Sequence, residues 1–157
     1  MDFKIVQLQD YPHFAEQCSQ WDDAAWPRNP EIEDFFADHY HLAAENNGNE
    51  VPMVWVALTS DNMPIGMVSL IADDHPDYLH LSPWLASAFV LPEYRGKGVF
   101  RALHDALLDC VKTQTDYKNI HVYSHIDFSY LGNWTAIEKI QDPFENGQWV
   151  TLFTQTL

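Results

Sequence analysis

Apolar residues in this chain recur with two different periods, and the change of period marks its elements. Phe3 to Leu8 alternates weakly and predicts a first strand. Asp10 then predicts a helix cap, ahead of Phe14, Cys18, Trp21 and Ala25 at helical spacing. Pro27-Arg28-Asn29-Pro30 breaks that helix. Asn29 caps a second one, with Pro30 in its first turn and Ile32, Phe35, Phe36, Tyr40 and Ala43 on its inner face. Asn46-Asn47-Gly48 stops it. Val51 to Thr59 and Ile65 to Ala72 predict a hairpin across Ser60 to Pro64. Leu85 to Leu91 is an apolar run too short for a typical helix and bounded by Pro92, which predicts a buried strand. Val99, Phe100, Leu103, Ala106, Leu107, Cys110 and Val111 return to helical spacing. Ile120 to Ser124 predicts another strand, and Asp127 to Asn133 a short helix or loop. Thr135 to Gln141 and Gln148 to Gln155 flank Asn146-Gly147, a strong hairpin signal. The order predicts an α/β (α+β) fold: a mixed, mostly antiparallel sheet of about six to seven strands flanked by helices.

Length changes this picture little: 157 residues fit one domain, 1–157, with a sizeable core. No apolar run is long enough to span a bilayer and no leader begins the chain, so a soluble, cytoplasmic protein is expected. Cys18 and Cys110 both fall on apolar helix faces and are expected as buried free thiols. Charge changes it more. The net charge is −15, which argues against a nucleic-acid partner. Residues 1–94 carry 16 Asp+Glu against two Lys+Arg, whereas residues 95–157 carry seven against six. Such a split suits an anionic cofactor on the second half and a cationic acceptor against the first. It also suits a merely soluble surface.

The chemistry-bearing stretch lies between the buried strand and the long helix, at Arg95-Gly96-Lys97-Gly98. A strand, a glycine-bearing turn and a helix start make an anion site. The first helical amides lack internal partners, the helix dipole is positive there, and glycine admits a phosphate to the backbone. Arg95, Lys97 and Arg101 add charge. The Walker pattern GxxxxGK[ST] is absent, and Gly96 and Gly98 are followed by Arg101 where the dinucleotide fingerprint needs a third glycine. His121 and His125 flank a strand, so their spacing does not suit a metal, and no metal is expected.

Arg95-Gly96-Lys97-Gly98-Val99-Phe100, after its strand and before its helix, resembles motif A of the GNAT-type N-acetyltransferases, [Q/R]-x-x-G-x-[G/A]. Pro83-Trp84-Leu85-Ala86-Ser87, Val90-Leu91-Pro92-Glu93-Tyr94, Phe128, Tyr130, Trp134 and the closing Glu145 to Leu152 are similar to that family too. Two positions depart: Phe100 stands where Gly or Ala is usual, and Gly132-Asn133-Trp134 replaces Gly-[Phe/Trp]. The Phe100 ring either folds into the core or crowds the pyrophosphate.

The resemblance implies acetyl transfer from acetyl-CoA to a primary amine, with a small-molecule, cationic acceptor expected. The amides of Gly96, Lys97, Gly98, Val99 and Phe100, with Arg95, would hold the cofactor's pyrophosphate. Phe89 and Val90 would pair with its pantetheine arm and offer an N–H to the acetyl carbonyl. Tyr130 would protonate the departing thiolate, with Tyr123 as the alternative. The base is open among Asp73, Asp74, His75, Asp77, His80, Glu45, Glu50 and a water chain. Trp26, Arg28, Asp22 and Asp23 would contact the acceptor. Alternatives are a non-catalytic acyl-CoA sensor with the same fold, another acyl group, or a protein N-terminus or lysine as acceptor. No membrane partner is expected, and the oligomeric state stays open, a homodimer included.

Overall fold

The structure, a computed structural model, describes residues 1–27 and 38–157. Seven strands form one sheet in the order β1-β2-β3-β4-β5-β7-β6. They are β1 (Phe3–Gln7), β2 (Met53–Thr59), β3 (Pro64–Ile71), β4 (Trp84–Val90), β5 (Asn119–Ser124), β6 (Thr135–Gln141) and β7 (Trp149–Thr156). All pairs are antiparallel except β4 with β5. The helices are α1 (Ala15–Ala25), α2 (Tyr40–Glu45) and α3 (Val99–Gln114).

The period-2 pattern of β2 explains the layers. Met53, Trp55 and Ala57 pack in the core that contains α3, while Val54, Val56 and Leu58 pack in the core that contains α1 and α2. On α3, Val99, Leu103, Leu107 and Val111 are each at most 1% exposed. Each such burial contributes roughly 1.5–3 kcal/mol. These four side chains hold the start of α3 against the sheet, which fixes where the glycine turn points.

One predicted boundary is wrong. Asp10 does not cap α1; it ends a 3₁₀ turn, Leu8–Asp10, and a second turn, Pro12–Phe14, follows before α1 begins. Ala25 is exposed, and Asp22 takes the inner position beside Cys18. The Asn29 cap, Pro30, Ile32, Phe35 and Phe36 lie outside the described residues, as does Arg28. Cys18 and Cys110 are buried free thiols. Among the described residues, no helix is long and apolar enough to cross a membrane.

Candidate active site

Between β3 and β4 the register slips. Met67 faces Phe89, but Ser69 faces Ala86, so β4 carries one extra residue. Ser87 sits there in the left-handed region at φ 53°. A bulge of this kind bends its strand and increases the local twist. Beyond it β4 leaves β5: the two pair only at Trp84 with His121. The separation opens a cleft of about 1200 Å³, walled by Leu85 to Val90 on one side and Val122 to Ile126 on the other. Arg95 and Phe100 stand on its wall too, together with Asp73, Asp74, Asp142 and Glu145.

The glycine turn follows β4 directly. Leu91 N–H donates to the Ile65 carbonyl at 2.9 Å, and Arg95 N–H to that of Pro92 at 3.2 Å. Gly96 and Gly98 then take φ of 74° and 82°, which only glycine adopts without strain. A Cβ added at either would meet nothing within 4 Å. The first helical hydrogen bond is Ala102 N–H to the Gly98 carbonyl at 3.1 Å. Among the described residues, the amides from Gly96 to Arg101 donate to no protein acceptor. Six consecutive backbone donors therefore line a turn with open space beside both of its glycines.

Phe100 packs inward, the first of its two possible arrangements. Its ring meets Phe128 edge-on, centroids 6.0 Å apart at 76°, and lies 6.2 Å from His104. The cations of the turn are tethered. Arg95 Nε donates to the Val90 carbonyl at 2.8 Å, with its guanidinium 5.8 Å from the Phe89 ring centroid. Lys97 Nζ lies 5.8 Å from the Tyr94 ring centroid. Arg101 Nη2 donates to the Tyr130 carbonyl at 3.3 Å, and its guanidinium sits 5.8 Å from that ring's centroid.

Tyr130 thus stands beside the start of α3, in the 3₁₀ helix Phe128–Leu131 that Asp127 caps. Its side chain is 58% exposed and does not contribute to the cleft wall. Tyr123 does, with its hydroxyl donating to the Asp74 carbonyl at 3.0 Å. Of the candidate bases, Asp73 and Asp74 reach the cleft. His75 is buried, and both ring nitrogens are engaged: Nε2 donates to the Gln141 carbonyl at 2.7 Å, and Nδ1 accepts from Asp77 N–H at 3.2 Å. Asp77, His80, Glu45 and Glu50 stand away from the cleft wall. His121 bonds Thr154 Oγ1 at 2.8 Å and His125 pairs with Asp142 at 3.0 Å.

A further constellation forms where α1 meets the bulge. Tyr40 Oη and Ser87 Oγ both donate to Asp22 Oδ2, the latter at 3.0 Å. Asp22 is 3% exposed and lies on the cleft wall. Burial, and then the Asp22 charge, hold the Tyr40 hydroxyl well above the ordinary phenol range and push the Cys18 thiol up to about 12. Asp23, next in sequence, is exposed. The position of Asp22 one helical turn after Cys18 was the available signal; Ser87 and Tyr40 carried none.

The sequence profile of the acetyltransferase (GNAT) family matches residues 14–129, well over half of the chain. The chain belongs to the GNAT acetyltransferase family. Solved GNAT structures share its fold across their whole length. An acetyltransferase of the GNAT family from Staphylococcus aureus Mu50 is 15% identical, with 99% of each chain covered and a TM-score of 0.66. Arabidopsis thaliana Naa50, in complex with the bisubstrate analogue CoA-Ac-MVNAL, is 14% identical over 100% of both chains, with a TM-score of 0.69. A putative N-acetyltransferase from Lactobacillus plantarum is 15% identical over 100% of this chain and 99% of its own, with a TM-score of 0.64. No curated protein matches the sequence. The seven-stranded sheet and its single parallel pair are thus the GNAT sheet, and the enzyme is an acetyltransferase.

Proposed function

We propose that this GNAT enzyme moves an acetyl group from acetyl-CoA to the primary amine of a small cationic acceptor. The observation that carries this is the row of six amides from Gly96 to Arg101 without a protein acceptor, next to the cleft where β4 leaves β5. Backbone donors at a helix start suit a diphosphate. The open space around Gly96 and Gly98 lets it approach, and Arg95 and Lys97 stand beside it. The bound bisubstrate analogue of Naa50 supports acetyl-CoA as co-substrate.

Phe89 and Val90 lie past the bulge on the cleft wall, where a pantetheine arm would run as an extra strand. A backbone N–H there would donate to the acetyl carbonyl as charge develops on its oxygen. Such a preorganised donor contributes about 3 kcal/mol. The neutral amine attacks the thioester carbonyl carbon, the C–N bond forms and the C–S bond breaks. The proton shed by the nitrogen leaves to water or to Asp73 or Asp74. The thiolate takes its proton from the Tyr130 hydroxyl; phenols, which ordinarily titrate near about pH 10, suit a thiol leaving group. Among the described residues the cleft wall carries Asp22, Asp73, Asp74, Asp142 and Glu145 against the single guanidinium of Arg95. That balance favours a cationic acceptor. Buried free thiols at Cys18 and Cys110 fit a reducing cytoplasm.

Calorimetry with coenzyme A tests the cradle. Gly98→Glu, checked for folding by circular dichroism, should abolish the heat by placing a carboxylate among the amides. Equal affinity in the two proteins would sink the placement. The exposure of Tyr130, away from the cleft wall, favours a second reading: a non-catalytic acyl-CoA sensor. Thiol release from acetyl-CoA with a panel of small amines and a peptide N-terminus separates them. Tight cofactor binding with no turnover selects the sensor.

A further inference from the structure

We propose that His125 is the catalytic base, which takes the proton of the acceptor amine at Nδ1, and that Asp142 positions it. The proposal rests on the acyl-transfer reading and narrows its proton acceptors to one. His121 and His125 are four residues apart, but the structure separates them. His121 is buried, bonded to Thr154 and off the cleft wall. His125, one residue past the end of β5, stands on that wall with its side chain 56% exposed. Among the described residues its ring bonds one side chain, Asp142, through Nε2 to Oδ2 at 3.0 Å. A carboxylate accepts, so Nε2 carries the hydrogen and donates it. In the neutral ring the lone pair is then on Nδ1, which no protein group engages among the described residues. Asp142 is itself fixed. Its side chain is 9% exposed, its Oδ1 accepts from Phe144 N–H at 2.8 Å, and its own N–H donates to the Gln148 carbonyl at 2.9 Å. The imidazole is thus held in one tautomer and one orientation.

Position along the strands makes this dyad a base for the reaction. The parallel strands β4 and β5 meet at Trp84 with His121. Four residues on, each has travelled about 13 Å, which brings His125 level with Ala88, just past the Ser87 bulge. Phe89 and Val90, the pair proposed to run beside the thioester arm, come next on the opposite wall. The acceptor ammonium loses its first proton to water. As the neutral nitrogen attacks and the C–N bond forms, its second proton passes to Nδ1, while Nε2–H stays on Asp142. The imidazolium then releases the Nδ1 proton to water, and the thiolate is protonated separately, by the tyrosine. Imidazoles ordinarily titrate near about 6.5 and aspartates near about 3.9, so the imidazole is the stronger base of the two. The other titratable groups on the cleft wall are Asp22 from α1, His39 ahead of α2, Asp73 and Asp74 after β3, Arg95 from the glycine turn, Tyr123 from β5 and Glu145 before β7. None of them bonds the His125 ring.

The test is a pH profile with 2,2,2-trifluoroethylamine, an alkylamine that is uncharged near neutrality, so that a loss of kcat/KM on the acid side comes from the enzyme. In wild type kcat/KM should fall as pH drops through the range where imidazoles titrate. In His125→Gln it should be at least about 100-fold lower at neutral pH, and the acid limb should be gone. The calorimetric affinity for coenzyme A should not change. A wild-type rate in the variant, or an acid limb that survives, overturns the proposal and leaves the acyl-transfer reading standing. In Asp142→Asn kcat should fall at least about ten-fold with KM for the amine unchanged and the limb kept, because the base remains but is no longer held. An unchanged kcat removes Asp142 from the positioning role. If His125→Gln does not fold, Asp142→Asn decides, and no fall in its kcat overturns the proposal. If wild type acetylates no amine, the acyl-transfer reading fails and the base falls with it.

Discussion

Tyr130 and Phe100 carry opposite lessons about single residues. The Tyr130 side chain is exposed and its ring rests on Arg101. Tyr130→Phe should therefore leave stability within about 0.5 kcal/mol of wild type. If the phenol protonates the thiolate, kcat should drop by roughly ten- to a hundred-fold with the KM for acetyl-CoA unchanged. Steady-state kinetics on Tyr130→Phe and Tyr123→Phe decide which tyrosine has that role. A full kcat in Tyr130→Phe removes it from the mechanism. Phe100 was the residue that most threatened the anion site on paper. An aromatic pocket, Phe128 and His104, receives its ring, while part of the residue still borders the cleft. Phe128 comes from a distant part of the chain, so periodicity around Phe100 could not show that pocket. Asp22 was legible only as one of two adjacent acids. What singled it out was contact with Tyr40 and Ser87, 18 and 65 residues distant.

At the scale of elements, all seven strands and α3 were legible, because both depend on local spacing of apolar residues. β6 was placed to the residue, Thr135–Gln141. The start of α1 was not, since Pro12 and the 3₁₀ turns before it follow local backbone chemistry that a cap rule ignores. The bulge in β4 was invisible for a different reason. Apart from Ser87, Trp84–Val90 is apolar on both faces, so an extra residue disturbs no alternation. Yet that extra residue is what opens the cleft. A second link between elements is buried: Trp134 Nε1 donates to His104 Nε2 at 2.9 Å, which ties α3 to the chain entering β6. Trp can only donate, so His104 is neutral and its Nδ1–H donates to Asp105 at 2.8 Å. Burial pushes the His104 imidazole below its ordinary range, against the pull of Asp105. Burial, and then His80, lower His121 likewise. For both, the unfolded chain binds protons more readily than the folded one. Stability is therefore complete above the unfolded value of about 6.5 and is lost as pH falls through that value towards the lowered folded ones. His41, raised by its hydrogen bond to Asp38, has the opposite sign but is exposed. Thermal melts between about pH 7.5 and about pH 5 should show the loss. In His104→Gln the decline should be shallower; an identical slope would detach His104 from it.

Across the whole molecule, charge and topology matter more than any contact. The chain carries −15, and the front-loaded acids meet the basic turn at one cleft. A field of that sign concentrates cations and is screened by salt. The KM for a cationic acceptor should rise from about 0.02 M to about 0.5 M salt, while that for an uncharged arylamine stays flat. A flat response for both would show that the acidic surface serves solubility alone.

The strand order has a consequence for how the chain is made. β7 follows β6 in sequence, yet it lies between β5 and β6, pairing with both along its length. Until Trp149–Thr156 leaves the ribosome, β5 and β6 have no neighbour to close them on that side, and their unpaired edges invite other chains. Synthesis arrested just short of Trp149 should leave a nascent chain that proteases still cut freely, and release of the β7 residues should be enough to seal it.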